Sequence, residues 1–478
     1  MDFGRGKESV KLKHPLIEET KSAEDGFLAE AKKQISLVLP MIFTNVVYFF
    51  IPLISVMFAG HFGHLELASS NLANSWAAAS GFDLMVGLSG ALETLCGQGF
   101  GGKMYGMLGV YLQASCIVSA AFSAAVSLLW WYSGAILASL GQDAGVAGSA
   151  GLYLRWLIPG LFAQGFLQHM LRFVQAQSVV APLVLCAGVP LVLHVGVAYA
   201  LVHWTALGFR GAAAAASVSL WVSVVMLGFY VVKADKFRLT WRGFSWEALK
   251  HVFSYLKLAL PSAAMVCLEY WAFEILVLLA GLMPDSQLTT SLIAMCVNAE
   301  TICYMICYGL GAAISTRVAN ELGGGNPEGA RRATSVALKL TLVLAVCVVS
   351  ALGFGYNVFA AAFTNSPLVL NAFASMVPLL VASVLCDFFQ GIFSGVARGC
   401  GWQHLVVFIN IGSFYLIGMP LAIILAFYFK LYAKGLWVGL ACGLAAQTMG
   451  LLVLSNVTKW TRIEFCQSPS SNIVQPSV

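Results

Sequence analysis

The sequence predicts an all-α membrane protein with twelve transmembrane helices in two pseudo-symmetric six-helix lobes. Three observations support this prediction: the composition, the length of the apolar runs and an internal repeat. Hydrophobic residues make up 59% of the chain and charged residues 10%, whereas a soluble domain carries about 25% charged residues. Apolar runs of about 20 residues recur along the chain, and this length crosses ~30 Å of hydrocarbon.

The apolar runs predict six helices before the basic segment at 233–250 and six after it. The first six cover 33–59, 67–95, 107–135, 150–174, 183–204 and 211–233. The second six cover 253–281, 288–314, 335–358, 368–396, 404–428 and 435–457. The chain is therefore divided into a polar tail (1–32), a first lobe (33–233), an inter-lobe loop (234–252), a second lobe (253–458) and a second tail (459–478).

The two lobes repeat each other in sequence. GLSGALETLCGQGFGGK, which begins at Gly87, aligns without a gap with GLGAAISTRVANELGGG, which begins at Gly309. The upstream helices align with Pro40 on Pro261, which places Tyr48 opposite Glu269. A duplicated membrane unit is typical of transporters that rock two bundles around a central site. The glycine-rich GGGNPEGARRA (323–333) predicts a helix break and re-entry at the cytosolic face.

Basic residues are sorted by membrane side, so the net charge of +5 does not indicate a nucleic-acid partner. With the N-terminus inside, the cytosolic segments collect seven Lys/Arg within the first 33 residues and most others, including Lys103, Arg172, Lys233, Lys236, Arg238, Arg242, Lys250, Arg317, Arg331, Arg332, Arg398, Lys459 and Arg462. This asymmetry predicts that both termini are cytosolic. No cleavable signal peptide is visible, and both tails are expected to be mobile.

Acidic residues inside the predicted helices are the candidates for chemistry, because a charge at membrane depth costs on the order of 3 kcal/mol or more. There are six: Asp83, Glu93, Glu269, Glu274, Glu300 and Asp387. Glu93 is near a helix end beside the QGFGGK turn, where we expect it to be solvated. Asp83 lies deeper and has no counterpart in the second half. It is either a hydrogen-bonded structural group or a pathway residue.

Glu269 and Asp387 are the leading pair, since each lies near the middle of its helix. Pro261 interrupts the hydrogen-bond ladder close to Glu269, so Pro261 and its counterpart Pro40 are predicted hinges. Glu274 is five residues from Glu269, about 140° around the helix, so the two cannot both face one cavity squarely. Secondary candidates for the cavity are Asn45, Tyr48, Glu274, Asn298, Glu300 and Tyr304. For any single acid, the alternative is a carboxyl group neutralised by a neighbouring Tyr or Asn.

A buried acidic pair favours proton chemistry. Desolvation favours the neutral form of a carboxyl group, and a second nearby carboxylate favours it further. Such a pair can load a proton from an acidic compartment and lose it to the cytosol, and it can attract an organic cation when it is deprotonated. Aromatic side chains can add cation–π contacts of about 1–2 kcal/mol, with ordinary helix packing as the alternative for Tyr48, Trp76, Tyr270, Trp271 and Tyr304.

Other kinds of site have weak signals. The twelve cysteines lie mostly in predicted helices and have no zinc-like spacing. His169 and His194 are expected to be packed or hydrogen-bonded. GFGGK (99–103) follows a helix and is too short for a nucleotide-binding loop. We therefore expect no cofactor and no metal.

The motifs resemble those of the multidrug and toxic compound extrusion (MATE) family, and in particular its plant detoxification proteins. The repeated segments above carry the resemblance, together with CLEYW (267–271), LCDFFQG (385–391) and GVARGCGWQ (395–403), and it covers nearly the whole chain except the tails. It implies two lobes around a V-shaped cavity and proton coupling through Glu269 and Asp387. Bacterial relatives often place an acid in the first helix, where this chain has Asn45 and Tyr48.

The leading hypothesis is a monomeric proton-coupled antiporter, not an enzyme, that exports small cationic or aromatic compounds from the cytosol across the vacuolar or plasma membrane. Its partners would be those compounds, protons and the lipid bilayer. Sodium coupling and export of an organic acid such as citrate are the alternatives within transport. A membrane-embedded enzyme is the alternative from another class, and it would need a nucleophile or metal motif that the sequence does not display.

Overall fold

The computed structural model describes residues 8–284, 286–361 and 367–461, and regular structure within these ranges is helical. The first lobe contains α1 (Glu8–Gly60), α2 (His64–Ala77), α3 (Asp83–Gly101), α4 (Tyr105–Trp131), α5 (Ser133–Ser139), α6 (Ala144–Ala176), α7 (Ala181–His203) and α8 (Phe209–Lys233). The second lobe contains α9 (Glu247–Ala280), α10 (Ser286–Gly323), α11 (Pro327–Ala361), α12 (Pro367–Cys400), α13 (Gln403–Asn410), α14 (Met419–Ile423) and α15 (Tyr432–Val457).

Twelve helical bodies of membrane-crossing length are present in the described ranges, as predicted. Eleven are long and apolar enough to cross a membrane on length and composition. The twelfth is α2 continued into α3 through the π-helical turn Ala78–Phe82. Its two pieces do not qualify separately, because α2 has 14 residues and α3 carries Asp83 and Glu93. Two further π-helical segments, Ile411–Gly418 and Ile424–Tyr428, interrupt the body that begins with α13.

Helix α1 begins at Glu8, well before the predicted start at residue 33. Its early residues are rich in Lys, Glu, Leu and Ala, which are good helix formers, so the polar composition did not prevent a helix. The last part of the predicted tail also packs on the second lobe. Arg317 of α10 donates two hydrogen bonds to Glu30, at 2.9 and 3.0 Å. The expectation of a mobile tail is therefore wrong for this segment.

The two lobes meet through the repeated segments, in contacts that are reciprocal. Gly101 of α3 lies against the backbone carbonyl of Asn320, and Gly323 of α10 lies against that of Gln98. These four residues are equivalent in pairs in the sequence repeat, so the pseudo-twofold axis passes between them. The backbones approach so closely that a side chain on either glycine would collide with the facing carbonyl. We call this contact the junction.

A second reciprocal pair connects each repeated helix to the first helix of the other lobe. A Cβ atom added to Gly87 of α3 would lie 2.5 Å from Ala263 Cα in α9, and one added to Gly309 of α10 would lie 3.0 Å from Ile42 Cα in α1. Ala263 and Ile42 each lie two positions after a predicted hinge, Pro261 and Pro40 respectively. Each glycine therefore faces the helix turn that begins with one of these prolines. The two prolines are in matched surroundings.

The predicted helix break at GGGNPEGARRA is confirmed. Helix α10 ends at Gly323 and α11 begins at Pro327. Gly325 between them has a φ of +74°, which favours glycine. Pro327 begins the next helix, where its missing N–H costs nothing, and Asn326 Oδ1 accepts a hydrogen bond from Gly329 N at 2.9 Å.

Candidate functional site

A cavity of about 450 Å³ lies between the lobes. It is bounded by the later part of α1, by α2 and the start of α3, and by α9, α10 and α12. Because α3 runs from the cavity at Asp83 to the junction at Gly101, the cavity occupies the half of the molecule away from the junction. The lobes therefore close on one side and leave the space on the other.

Glu269 of α9 lines this cavity and is held by a chain of amides. Its Oε2 accepts hydrogen bonds from Gln390 Nε2 at 2.9 Å and from Gln447 Nε2 at 3.1 Å. Gln447 also donates to Asn410 Oδ1 at 2.9 Å, and Asn410 donates to the carbonyl of Met265, one turn before Glu269 on α9, at 2.8 Å. Three amide side chains from α12, α13 and α15 thus fix the position of the carboxyl group without supplying a positive charge.

Asp387 and Glu300 lie in the same cavity as Glu269, so the structure brings together the predicted pair and one secondary candidate. They are only 3% and 2% exposed. Ser383 donates a hydrogen bond of 2.8 Å to Glu300 Oε2, and Trp437 Nε1 lies 3.2 Å from Ser383 Oγ. Glu300 Oε1 has no hydrogen-bond partner among the described residues. Such an oxygen is costly to bury as an anion.

Glu274, a secondary candidate, lines the same cavity as Glu269, although the angle between them keeps both from facing it squarely. The cavity lies along a wide face of α9 that includes Glu269, Tyr270, Phe273 and Glu274, spaced at i, i+1, i+4 and i+5. A face of this kind spans more than 100° of the helix, so two residues about 140° apart can both reach it. Asp83 also lines the cavity, as does Asn298, which favours the interpretation of Asp83 as a pathway residue.

Two candidates from the first helix do not line the cavity in the part of the chain that the structure describes. Tyr48 donates a hydrogen bond of 3.3 Å to the carbonyl of Cys186, within the first lobe, and Asn45 is likewise not among the lining residues. The repeat places Tyr48 and Glu269 at equivalent positions, but equivalence does not bring them face to face. The packed histidines are as expected: His169 contacts the Tyr255 hydroxyl and His194 contacts Ser55 and Ser219.

The aromatic candidates divide in the same way. Tyr270 and Tyr304 line the cavity, and their ring centroids are 5.8 Å apart in an edge-to-face arrangement. Trp271 donates a hydrogen bond of 2.9 Å to the carbonyl of Ala79, in the π-helical turn of the first lobe. Trp76 and Tyr48 are not among the lining residues. Of the aromatic candidates, Tyr270 and Tyr304 are therefore available to a bound compound, and the rings of Phe49, Phe82 and Phe273 also line the cavity.

Glu93 is not solvated, contrary to our expectation. It is 1% exposed, and its Oε2 lies 3.6 Å from both Arg172 Nη1 and Arg398 Nε. We had counted both arginines among the basic residues of the cytosolic surface, but they lie inside α6 and α12 and are buried. The cluster was not predicted because Glu93 lies near the end of the predicted apolar run, where solvation was expected, and because its partners come from two distant helices.

Four further polar residues of the site were not predicted from the sequence: Gln390, Arg398, Asn410 and Gln447. One signal was available: Asp387, Gln390, Ser394 and Arg398 recur at intervals of three, four and four residues, which places them on one face of α12. Polar groups at that spacing in an apolar helix point to a polar interior. Gln447 and Asn410 lie in other helices, and no comparable series of polar residues marked them.

The charges of the cavity do not balance. Five acidic residues line it, namely Asp83, Glu269, Glu274, Glu300 and Asp387, and the lining residues include no Lys, Arg or His. Carboxylates packed together in a medium of low dielectric constant repel one another and lose hydration. They require protons or a cation in the cavity to compensate their charge.

Comparison with known proteins gives the family. A family model described as MatE matches residues 40–200 and 261–424, one match in each half of the chain. The chain belongs to the MatE family. This MatE protein is 56% identical to Protein DETOXIFICATION 18 of Arabidopsis thaliana over 434 residues, which cover 91% of this chain and 92% of the relative. Protein DETOXIFICATION 16 of the same plant is 43% identical over 94% of this chain and 92% of its own length.

Solved structures agree with this result. The crystal structure of the eukaryotic MATE transporter AtDTX14 superposes with a TM-score of 0.88 at 40% identity, covering 91% of this chain and 97% of the other. An outward-facing MATE transporter structure superposes with a TM-score of 0.79 at 19% identity, covering 89% and 96%, which shows a shared fold. The MatE protein is thus an all-α, multi-pass integral membrane protein of a transporter family.

The matched prolines of this MatE protein allow an internal comparison. Pro261 cannot donate a hydrogen bond to the carbonyl four residues earlier, and it lies eight residues before Glu269, slightly more than two helical turns. Pro40 is in equivalent packing, but its helix contributes no acid to the cavity. We expect Pro261→Ala to slow turnover several-fold more than Pro40→Ala in a transport assay with purified protein. Equal impairment, or a greater effect of Pro40→Ala, would show that the helix break near Glu269 has no special role.

Proposed function

We propose that the protein is a proton-coupled antiporter that exports small organic cations from the cytosol by alternating access of the inter-lobe cavity. The observation that carries the proposal is the cavity itself, with five carboxyl groups and no compensating cation among its lining residues. Protons and organic cations can both compensate that charge, and they compete for it. Competition for one site is sufficient for exchange of one cation for the other.

Glu269 and Asp387 are the proposed coupling residues. Both are buried and both line the cavity, and the amide donors on Glu269 keep its position without adding a positive charge. Tyr270 and Tyr304 flank Glu269 and supply aromatic surface for a flat or cationic compound. Asp83, Glu274, Glu300 and Asn298 complete the polar lining.

The charge of the cavity argues against export of an organic acid. An anion such as citrate would enter a space bounded by five acids, and the cost of like charges in low dielectric opposes it. Sodium coupling remains an alternative outcome of the experiment below, because carboxyl and amide oxygens are suitable ligands for a hard cation. No observation on the described residues favours sodium over protons.

We further propose that the junction faces the cytosol, so that the structure represents an outward-open state. The predicted cytosolic side follows from the distribution of basic residues, and Gly101 and Gly323 end their helices on that side. This orientation also places both termini in the cytosol. A vacuolar or a plasma membrane would fit equally, since the lumen of the vacuole and the cell wall space are both acidic.

The test is exchange in proteoliposomes with a fluorescent organic cation. We expect an imposed pH gradient to drive its accumulation against its concentration gradient, at equal sodium on both sides, and we expect collapse of the pH gradient to abolish it. A sodium gradient alone is expected to drive nothing, and labelled citrate is expected not to move. Accumulation that follows sodium and ignores pH would contradict proton coupling. Movement of citrate with no movement of the cation would contradict the substrate class.

A further inference from the structure

The buried cluster around Glu93 joins the two lobes next to the proposed coupling site. Glu93 and Arg172 belong to the first lobe, and Arg398 and Tyr308 belong to the second. Arg172 donates from Nη2 to the Tyr308 hydroxyl and from Nη1 to Gln175 Oε1 at 3.0 Å. Its guanidinium carbon lies 5.3 Å from the Tyr308 ring centroid, and that of Arg398 lies 5.8 Å from the same centroid. Two cations therefore share one ring and one carboxylate.

Arg172 and Arg398 differ in how firmly they are held. Arg172 has named acceptors in both lobes, whereas Arg398 Nε is buried without a hydrogen-bond partner among the described residues. The carboxylate oxygens of Glu93 also lack hydrogen bonds, so Glu93 attracts Arg398 through charge at 3.6 Å without fixing its geometry. Arg398 is the group that can move when the local charge changes.

Arg398 also faces Glu269. The two side chains line one small cavity, together with Gln390, Ser394 and Tyr308. The ion pairs found among the described residues include Arg398 with Glu93 but not Arg398 with Glu269. Among the residues that line this small cavity and the larger inter-lobe cavity, Arg398 is the one cation.

We propose that Glu93 is a positioning residue that holds the Arg398 guanidinium toward the first lobe and thereby keeps it from pairing with Glu269. The inference rests on the proposed function, in which Glu269 takes up the coupling proton. A guanidinium paired with Glu269 would favour the ionised carboxylate and would resist that proton. Glu93, which belongs to the first lobe, therefore keeps the Arg398 guanidinium from competing with the proton for Glu269 in the second lobe.

The charge of Glu93 offsets the repulsion between Arg172 and Arg398. With Glu93 neutral, the guanidinium groups of Arg172 and Arg398 would repel each other across Tyr308 without an anion between them. Arg172 is retained by Gln175 and Tyr308, so Arg398 would shift toward Glu269, the acid among the residues that line the small cavity with it. Other titratable groups that line these two cavities with Glu269 come from α9, α10, α12 and α3, namely Tyr270, Glu274, Glu300, Tyr304, Tyr308, Asp387 and Asp83. Carboxyl and phenol groups carry no positive charge in either protonation state, so none of them replaces Arg398 as a counter-ion to Glu269.

The experiment measures the proton on Glu269 directly. A hydrophobic carbodiimide modifies protonated carboxyl groups, and mass spectrometry of the purified full-length protein gives the extent of modification at Glu269 as a function of pH. We expect Glu93→Gln to move the midpoint of modification to lower pH by about one unit or more, the size typical of a new opposite charge nearby. Glu93→Asp keeps the negative charge but places it closer to the backbone of α3 and farther from Arg398. This variant should shift the midpoint in the same direction by a smaller amount, and it provides the test if the Glu93→Gln protein does not fold.

Two further variants separate positioning from a general loosening of the structure. Arg398→Gln removes the competitor, so its midpoint should not change when Glu93→Gln is added. Glu30→Gln weakens the other inter-lobe ion pair, with Arg317, which is remote from Glu269, and it should leave the midpoint at the wild-type value. An unchanged midpoint in Glu93→Gln, or an equal shift in Glu30→Gln, would overturn the proposal.

The same set distinguishes this inference from the proposed function. Modification of Glu269 is measured without transport, so it reports on Glu93 even if a pH gradient drives no exchange. Absence of proton-driven exchange in the wild-type protein would reject the proposed coupling. Proton-driven exchange together with unchanged pH dependence of modification in Glu93→Gln would reject the role of Glu93 alone.

Discussion

Neutralising Glu269 or Asp387, as in Glu269→Gln and Asp387→Asn, is expected to reduce gradient-driven transport at least about tenfold, which corresponds to only ~1.4 kcal/mol in the rate-limiting barrier. Each variant keeps the size of the side chain and removes the group that takes up the proton. Gln at position 269 can still hydrogen-bond to Gln390 and Gln447, so the local packing is preserved. The measurement is the initial rate of organic-cation accumulation under a fixed pH gradient.

The control is Glu328→Gln, at the exposed start of α11 outside the cavity, which should transport at the wild-type rate. Elution as a single species in size-exclusion chromatography would show that the cavity variants are folded. A Glu269→Gln protein that accumulates the cation at the wild-type rate would exclude Glu269 from the coupling mechanism. The same result for Asp387→Asn would exclude Asp387.

Adding one methyl group to the junction is expected to have an effect of similar size. Gly323→Ala would place Cβ against the carbonyl of Gln98, with backbone on both sides and no flexible side chain to yield. The lobes then cannot close at the junction, and we expect the turnover rate to fall at least about tenfold because one of the two alternating states is destabilised by more than ~1.4 kcal/mol. Gly101→Ala should behave in the same way, since its Cβ would meet the carbonyl of Asn320.

The neighbouring residue provides a matched control. A Cβ atom on Gly324 would lie 3.5 Å from its nearest neighbours, an ordinary van der Waals contact, so Gly324→Ala should retain most of the activity. Accessibility of single cysteines placed on the cytosolic side would show whether Gly323→Ala opens the junction. Equal activity of the two alanine variants, without a change in accessibility, would mean that closure at the junction is not required for transport.

The helices and their repeat could be predicted from sequence because both depend on local patterns. The length of an apolar run determines which segments can cross the membrane. Gly87, Gly101, Gly309 and Gly323 recur at the same spacing in both lobes because each lies where two helix backbones touch and leave no room for a side chain. The register deduced from the repeat pairs residues whose contacts the structure shows to be reciprocal, although the contacts themselves were not predicted. The start of α1 could not be located in this way, since a polar helix that extends beyond the membrane has no apolar signal.

The site was only partly predictable. Acidic residues in apolar helices are rare enough to be noticed singly, and all five that line the cavity were candidates. Their mutual arrangement was not accessible, because whether Glu274 shares a cavity with Glu269 depends on how wide a face of α9 the neighbouring helices leave uncovered. The same limit applies to Glu93. Its environment is made by Arg172 and Arg398, and nothing in the local sequence identifies a pair of arginines from other helices.

The cavity has two unlike walls. The second lobe contributes four acids, Glu269, Glu274, Glu300 and Asp387. The first lobe contributes one acid, Asp83, and otherwise mainly the apolar and amide side chains of α1 and α2, among them Phe49, Leu53, Asn71 and Asn74. On the proposed function, the coupling residues Glu269 and Asp387 therefore lie on the second-lobe wall. The apolar and amide side chains of α1 and α2, which can shape the fit to the transported compound, lie on the other wall. Substitutions in α1 and α2 can therefore change which compounds fit the cavity without changing Glu269 or Asp387.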